Sequence, residues 1–470
     1  MRKKKNKFIL KRIILLVIVL GGIVGGLYLL LGPTGFLGRA FGVKANIYVD
    51  AGSSYDVPGG SWRNLAQGGE EETRMLESVV GKVSALHPDY IRIDHIYDYY
   101  DVVSRNADGS LSFDFARLDQ MVSDIGATGA KPFLSLSYMP QAIASGDVTS
   151  VPGNWNEWSL VVQKTIEHYS GVNQLGISNV YYEVWNEPDL FGGYKTYGNK
   201  NYLDLYRYAT IGASNASNVA PFKIGGPATT APYKGWLDNF VKYVGDNGLR
   251  LDFYSWHRYS YSLTDYEKDW KNTRRWIRWL EDIEGFNDIE LIVSEIGIDS
   301  ENSPSHDGNL SAIHTIATTA QMEGNVSKLF HFEVKDGPGP NKYWGRWGIL
   351  THEKFGIPEA KPRYHAISFL NRMIGNQVNT AGNGSWVKTF AKENNGVIRL
   401  LVVNYDPKGT HYEAVPIKFD NLPSNEFTYK RINLFGGSNE KNIITENYKW
   451  ETIEGFNANT AAIFEVIPQF

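Results

Sequence analysis

The chain of 470 residues contains no cysteine, and this absence excludes disulfides, thiolate metal sites and a cysteine nucleophile together. Any chemistry at a functional site therefore uses oxygen and nitrogen groups. The formal net charge is only −4, so the sequence gives no reason to expect nucleic-acid binding. Hydrophobic residues make up 42% and charged residues 21%, which is typical of a globular chain with one large and one smaller domain.

Aromatic residues are abundant, with 13 Trp and 28 Tyr in the chain. Large flat rings stack on the faces of sugars, but they also fill protein cores and interfaces. The composition therefore permits a carbohydrate-binding function without deciding between these two uses.

The N-terminal region carries the signal of a membrane segment. Residues 2–12 hold seven positive charges, and residues 13–31, IILLVIVLGGIVGGLYLLL, hold none. A helix of these residues, at a rise of ~1.5 Å per residue, would be nearly as long as the ~30 Å thickness of the hydrocarbon core of a membrane. The run is also longer than the ~7–15 apolar residues of a typical signal-peptide core. We expect a cytoplasmic basic flank (1–12), an uncleaved transmembrane signal anchor (13–31) and a linker (32–44). The rest of the chain is then expected on the extracytoplasmic side of the cell membrane. A cleaved signal peptide is the alternative.

From residue 45 the chain alternates strand-like and helix-like segments, the pattern of βα units. The predicted strands are NIYVDAGS, YIRIDHIY, KPFLSLS, VYYEVWNE, FKIGGPAT, LDFYSWHRY, IELIVSEIG and SKLFHFEV. Eight such units predict an α/β fold, a (β/α)8 TIM barrel over residues 45–377. Short strands separated by Gly, Asn, Asp and Pro then predict an all-β sandwich domain over residues 378–470.

Two glutamates follow predicted strands of this barrel. Glu187 in YYEVWNEPDL ends the fourth strand, and Glu295 in LIVSEIG ends the seventh. Chemistry in such barrels gathers at the C-terminal ends of the strands, so the two side chains can point across one cleft. Paired carboxylates are the groups that glycoside hydrolysis uses. A glutamate at a strand end is also often a helix cap or a partner in a loop salt bridge, and spacing alone leaves both alternatives open.

Several blocks of the sequence resemble glycoside hydrolase family 39, in the same order as in that family. YYEVWNEPDL is similar to the family's FEVWNEPNL, IGGPATT to VGGPAT and LDFYSWHRYS to vDFiStHxY. The regions FDFARLDQMVSDIGATGAKPFLSLSYMPQAIASG and WGILTHEKFGIPEAKPRYHAISFLNRM resemble its third and closing barrel units. The resemblance runs from about residue 90 to residue 375. WNEP alone would indicate only the wider clan A of retaining barrel enzymes.

The resemblance implies roles for particular residues. Glu187 is the general acid/base and Glu295 the nucleophile of a retaining double displacement. Asn186 hydrogen-bonds the sugar 2-hydroxyl, and Arg92 keeps Glu295 ionised because a nearby cation lowers the pKa of a carboxyl group. His257 belongs to the HxY motif and lines the cleft. Structural roles remain as alternatives: a buried ion pair for Arg92, a wall residue for His257 and a turn for Asn186.

The chain also departs from the family. It has SEI where the family usually has TEW around the nucleophile, Asp94 where His is usual, and Ser135 where a Glu is frequent. The common Trp platform of strand eight is missing, and Trp344 and Trp347 in NKYWGRWG are expected to bind substrate instead. Tyr259, from the HxY motif, is the remaining residue expected to line the cleft. The sugar pocket is therefore altered, and the substrate of the family's xylosidases or iduronidases is not transferred to this chain.

We therefore expect a retaining glycoside hydrolase that acts on a cell-surface or exported polysaccharide or oligosaccharide through a covalent glycosyl-enzyme. No metal or cofactor is expected, because no His/Asp/Glu cluster with ligand spacing is found in the sequence. The expected partners are a carbohydrate and the membrane. The alternative is a catalytically silent carbohydrate-binding component of a polysaccharide export or envelope assembly, and the presence of both glutamates argues against it.

Overall fold

The computed structural model describes residues 42–56 and 60–469. The predicted anchor, its basic flank and most of the linker lie outside these residues. Within the described ranges, no helix is both long enough and apolar enough to cross a membrane.

Strands and helices alternate through the first three quarters of the described chain, and only strands follow. The strands are β1 (Ile47–Tyr55), β2 (Asn64–Gln67), β3 (Tyr90–Ile93), β4 (Val103–Arg105), β5 (Leu111–Phe113), β6 (Lys131–Leu136), β7 (Val180–Val184), β8 (Phe222–Thr229), β9 (Phe253–Tyr259), β10 (Glu290–Gly297), β11 (Lys328–Phe332), β12 (Asn376–Ala381), β13 (Val387–Asn394), β14 (Val397–Asn404), β15 (Glu413–Asp420), β16 (Glu426–Asn433), β17 (Ser438–Ile444), β18 (Trp450–Phe456) and β19 (Thr460–Pro468). The α-helices are α1 (Val80–Ser84), α2 (Ala116–Ala127), α3 (Trp155–Ser170), α4 (Tyr202–Asn215), α5 (Lys234–Asn247), α6 (Leu263–Glu281), α7 (Asn309–Met322) and α8 (Pro362–Leu370), and short 3-10 helices span Glu77–Val79, Pro304–Asp307 and Glu353–Phe355.

Eight parallel strands close into a barrel in the order β2-β3-β6-β7-β8-β9-β10-β11, with β11 pairing back to β2. Strands such as β7 are buried along their whole length, because helices cover the outside and side chains fill the interior. The predicted (β/α)8 barrel is therefore confirmed. Its C-terminal strand ends meet at one mouth, which carries the site described below.

One strand of the predicted barrel lies elsewhere. The segment ANIYVDAGS, expected to begin the barrel at residue 45, forms β1, which pairs antiparallel with β12 and parallel with β15 in the C-terminal sheet. The expected start of the barrel is therefore wrong, and β2 is its first strand. Ile47 and Val49 are buried while Tyr48 and Asp50 are partly exposed, an alternation typical of a sheet with one covered face. A barrel strand of four residues is too short to give a periodic signal.

The strands after the barrel form one sheet with β1, in the order β17-β16-β19-β14-β13-β12-β1-β15-β18. The two ends of this sheet face each other. Phe427 on β16 and Trp450 on β18 have ring centroids 5.6 Å apart, and Tyr429 and Trp450 are 4.4 Å apart. The region after residue 377 is all-β, as predicted, and the sheet folds over a shared apolar core as a sandwich does.

The sheet packs against the side of the barrel through α7 and α8. Phe390 and Leu401 on the sheet share an apolar cluster with Ile313 and Phe369 on the helices. The sheet also reaches the barrel mouth, because the hydroxyl of Tyr405 donates a hydrogen bond of 2.9 Å to the carbonyl of Tyr261. The loop that follows β9 is therefore held in place by the C-terminal domain.

Candidate active site

Glu187 and Glu295 line one cleft of about 640 Å³ at the C-terminal mouth of the barrel. Glu187 follows β7, Glu295 lies on β10, and both side chains are largely buried, with 9% and 6% of their surface exposed. Oxygens of the two carboxylates lie within 4.8 Å of one another. The structure therefore brings together the two residues that the sequence singles out.

A sharp turn after β7 directs Glu187 into the cleft. Trp185 and Glu187 have φ angles of 74° and 44°, in the left-handed region that non-glycine residues seldom adopt. The amide of Glu187 donates to the carbonyl of Ala228 at 3.0 Å, and its carbonyl accepts from the amides of Leu190 and Phe191 at 2.9 and 2.7 Å. These bonds hold a strained backbone at the position where the carboxylate meets the cleft.

The guanidinium of Arg92, fully buried on β3, contacts three other side chains of the site. It donates from Nη1 to Glu295 at 2.8 Å and from Nη2 to the amide oxygen of Asn186 at 2.8 Å. It also donates from Nε to Glu183 on β7 at 2.7 Å. The planar fork of arginine suits such simultaneous contacts. Glu183 was not predicted as a site residue, although a lone charge in the apolar predicted strand VYYEV is a signal for a paired carboxylate.

Two residues of β9 contact the glutamates directly. The Nδ1 atom of His257 lies 2.8 Å from Glu187 Oε1 and 3.4 Å from Glu295 Oε2. The hydroxyl of Tyr259 donates to Glu295 Oε2 at 2.7 Å. Tyr259 lines the cleft as expected, whereas the fully buried His257 and Arg92 lie behind the glutamates and are not among the described residues of the cleft wall.

Burial and charge act against each other in this group. Burial raises the pKa of Glu295, and the charge of Glu187 adds to this rise, while His257 and Arg92 partly offset it. Burial alone would lower the pKa of His257, but the carboxylates of Glu295 and Glu187 outweigh it and the pKa is raised. Arg92 therefore opposes the protonation of Glu295, as expected, without bringing its pKa below the ordinary range.

Comparison with known proteins gives the same family as the sequence motifs. The sequence model described as "Glycosyl hydrolases family 39" matches residues 60–412, which is more than half of the chain. The chain belongs to glycosyl hydrolase family 39. Membership makes this protein a relative of glycosidases and agrees with two carboxylates in one cleft.

Two curated relatives and a solved structure resemble more than half of the chain. A β-xylosidase of Caldicellulosiruptor saccharolyticus is 25% identical over 405 residues, which cover 80% of this chain and 77% of that protein. A β-xylosidase of Geobacillus stearothermophilus is 26% identical over 294 residues, 56% of each chain. The crystal structure of a GH39 enzyme from Xanthomonas axonopodis pv. citri has a TM-score of 0.72 at 18% identity and covers 91% of this chain and 98% of its own. At that identity the likeness shows the fold alone.

The amide of Asn186 connects Arg92 to the wall of the cleft. Asn186 accepts from Arg92 through its oxygen and donates from Nδ2 to the hydroxyl of Tyr138 at 2.8 Å. Asn186 and Tyr138 both line the cleft. Tyr138 was missed by the sequence analysis, although an aromatic residue just after the third predicted strand is a usable signal.

The two tryptophans proposed as substrate contacts differ in position. Trp347 lines the cleft, and the guanidinium of Arg346 stacks 3.5 Å from its ring centroid. Trp344 is not part of the cleft wall among the residues that the structure describes, and its ring contacts Gly339 instead. Arg346, which donates from Nε to Glu70 at 3.0 Å, was missed because loop residues carry no periodic signal.

Three side chains of the site are close enough to hold a cation. Glu187, His257 and Glu295 each present a ligand atom, and these atoms lie within 4.8 Å of one another. Two carboxylates and one imidazole are donors that several divalent metals accept. The expectation that the protein needs no metal therefore stays a prediction.

We expect the imidazolium form of His257 to persist to higher pH than the ~6.5 at which histidine ordinarily loses its proton. Glu187→Gln removes one neighbouring negative charge. The imidazolium form of His257 is then stabilised less, so its pKa should fall. NMR titration of the histidine ring signals in labelled protein measures both values. Glu301→Gln, which alters a cleft carboxylate outside the groups that shift His257, is the control and should leave the titration unchanged. An unchanged pKa in the Glu187 variant would contradict this electrostatic account.

Proposed function

We propose that the protein is a retaining glycoside hydrolase that cleaves a polysaccharide or oligosaccharide through a covalent glycosyl-enzyme. The observation that carries the proposal is the short separation of the two carboxylates, whose oxygens lie within 4.8 Å. Retaining enzymes keep the carboxyl groups ~5–5.5 Å apart, and inverting enzymes need ~6.5–9.5 Å to admit a water molecule. The cleft geometry supports the retaining class.

The hydrogen bonds support different roles for the two glutamates. Glu295 accepts one bond from the guanidinium of Arg92 and one from the hydroxyl of Tyr259, and both contacts favour its ionised form. An ionised carboxylate with fixed oxygens is suited to attack a carbon centre. Glu187 contacts only the imidazole of His257 among these groups, with which it can exchange a proton. Glu295 is therefore the nucleophile and Glu187 the acid/base.

The reaction follows in two displacements. Glu295 attacks the anomeric carbon while Glu187 donates a proton to the departing glycosidic oxygen, which forms the glycosyl-enzyme and releases the leaving group. Glu187 then takes a proton from water, and the hydroxide equivalent attacks the same carbon and frees Glu295. Two inversions give net retention of the anomeric configuration.

Exposed apolar side chains beside Glu187 support an extended substrate. Leu190, Phe191 and Tyr233 line the cleft with 61%, 41% and 50% of their surface exposed. Leu190 and Phe191 are hydrogen-bonded to the backbone of Glu187, so they lie where the protonated leaving group departs. Aromatic faces in that position can stack on a sugar ring of the leaving group. Because the two relatives above are named β-xylosidases, aryl β-xylosides are a first class of substrate to test.

The second candidate, a catalytically silent carbohydrate-binding component of an export or envelope assembly, needs only the cleft. It does not need a carboxylate that accepts from both Arg92 and Tyr259, next to a second carboxylate that contacts the imidazole of His257. Turnover of a glycoside separates the two functions directly.

Substitution of each glutamate should produce a different defect. Glu295→Ala removes the attacking group and should abolish turnover, and added azide should restore it by attacking in its place, giving the inverted glycosyl azide. Glu187→Ala leaves the attack intact, so aryl glycosides with good leaving groups should form the glycosyl-enzyme and accumulate it. Azide should release that intermediate with retained configuration. NMR of the products and intact mass of the enzyme are the measurements.

Trp279→Ala, which changes an exposed aromatic residue on α6 that does not line the cleft, is the control: it should keep the activity of the unaltered enzyme and gain none from azide. Full activity in either glutamate variant, or the opposite stereochemistry of the azide products, would refute the assignment of the two roles.

We also propose that residues 13–31 anchor the enzyme in the cell membrane, with the catalytic domain on the extracytoplasmic side. The uncharged run and its seven preceding positive charges support this proposal. A hydrolase held there can reach a cell-surface or exported glycan.

After cell fractionation, the full chain should remain with membranes after an alkaline wash, and a variant lacking residues 2–31 should be soluble. Protease added to intact cells with a permeable wall should digest the catalytic domain. A full chain in the soluble fraction, or a protected catalytic domain, would contradict the anchor or its orientation.

A further inference from the structure

One carboxylate oxygen at the cleft has no hydrogen-bond partner among the residues that the structure describes. Asp94 follows β3, lines the cleft and has only 9% of its surface exposed. Its Oδ1 atom is buried without a hydrogen-bond partner among the described residues. A buried carboxylate without donors is costly, and a binding cleft is a place where a ligand can supply them.

The neighbours of Asp94 are engaged elsewhere. Arg92, two residues earlier, directs its donors to Glu183, Asn186 and Glu295. His95, the next residue, directs Nδ1 to Asp98 at 2.8 Å and stacks on Tyr99 with ring centroids 4.1 Å apart. These contacts engage the side chains around Asp94, and none of them uses its carboxylate.

Asp94 faces the sugar that reacts and not the leaving group. Asp94 lies two residues after Arg92, whose guanidinium bonds Glu295 at 2.8 Å, and Asp94 and Glu295 line the same cleft, which puts Asp94 on the side of the proposed nucleophile. It comes from β3, whereas Leu190 and Tyr233, on the side of the leaving group, follow β7 and β8 on the other side of β6 in the barrel order. The groups that Asp94 meets are therefore those of the glycone, the sugar transferred to Glu295.

The cations of the cleft are also occupied. Among the described residues that line it, three can carry positive charge, and each is paired with a carboxylate: Arg258 with Asp269, Arg346 with Glu70, and His95 with Asp98. A carboxylate on the glycone would therefore lie near the carboxylate of Asp94, and no described cation of the cleft wall would be free to offset the repulsion between them. Hydroxyl or ammonium groups would meet an acceptor that lacks donors.

We propose that Asp94 is a specificity-determining residue that accepts hydrogen bonds from the glycone, so that the enzyme takes neutral or amino sugars and discriminates against uronic acids. The inference rests on the proposed glycosidase function and deepens it. A carboxylate offers oxygens that accept hydrogen bonds, whereas an imidazole in the same place would also donate. Asp94 therefore favours hydrogen-bond donors in this part of the pocket.

The test compares kcat/KM for matched 4-nitrophenyl β-glycosides: the xyloside, the glucoside, the 2-amino-2-deoxyglucoside and the glucuronide. The wild-type enzyme should prefer a neutral or amino glycoside over the glucuronide. Asp94→Asn should lower kcat/KM for that preferred glycoside roughly 10- to 100-fold, the loss expected for a hydrogen bond to a charged group. The glucuronide should lose less or gain, so the ratio of the two values should fall.

The ratio is measured on one enzyme preparation and does not depend on how much of a variant has folded. Asp94→His should lower the same ratio, and Asp101→Asn, at an exposed carboxylate of the same loop, should leave it unchanged. A wild-type preference for the glucuronide, or an equal loss on all glycosides in Asp94→Asn, would overturn this inference alone. If the folded wild-type enzyme cleaves no glycoside, the proposed function falls and the inference with it.

Discussion

The site depends on one buried interaction, the contact of Arg92 with Glu183, Asn186 and Glu295. It joins β3, β7 and β10 across the mouth of the barrel. Burying a guanidinium is costly unless its charge is matched, and here two carboxylates and an amide oxygen surround it. Removing Arg92 would leave Glu183 and Glu295 as buried, like charges. The positions of Glu295 and of Asn186 therefore depend on the same cation.

The rest of the structure supports that group from outside. The turn after β7 holds Glu187 in a left-handed conformation, and β9 supplies His257 and Tyr259 between and beside the two glutamates. The loop after β9 is in turn held by the C-terminal sheet through the hydroxyl of Tyr405. A buried ion pair of 2.8 Å between Lys392 on β13 and Glu323 after α7 fixes the sheet against the barrel. The C-terminal domain thus supports the site, and none of its described residues lines the cleft.

Sequence patterns predicted the parts of this structure that repeat or stand out chemically. Seven of the eight barrel strands were found because their apolar runs alternate with amphipathic helices. Glu187 and Glu295 were found because polar residues follow apolar strands. The strand β2 was missed because four residues carry no period, and β1 was misplaced because strand propensity does not say which sheet a strand joins.

Whether a side chain lines the cleft or lies buried behind its wall was harder to predict. A motif indicates that His257 and Arg92 belong to the site, but whether a side chain lines the cleft or lies behind its wall depends on tertiary packing. The same holds for Trp344, which is adjacent in sequence to the cleft but points elsewhere. Pairings such as Arg346 with Glu70 join residues 276 positions apart, and no local pattern encodes them.

The proposed mechanism requires that Glu295 forms the covalent intermediate. An activated 2-deoxy-2-fluoro glycoside of the sugar that the enzyme turns over slows both displacements and traps the glycosyl-enzyme, and peptide mass spectrometry then locates the added mass. We expect a single adduct on the peptide that contains Glu295 and the release of one leaving group for each enzyme molecule. An adduct on Glu187, or complete turnover without any adduct, would contradict it.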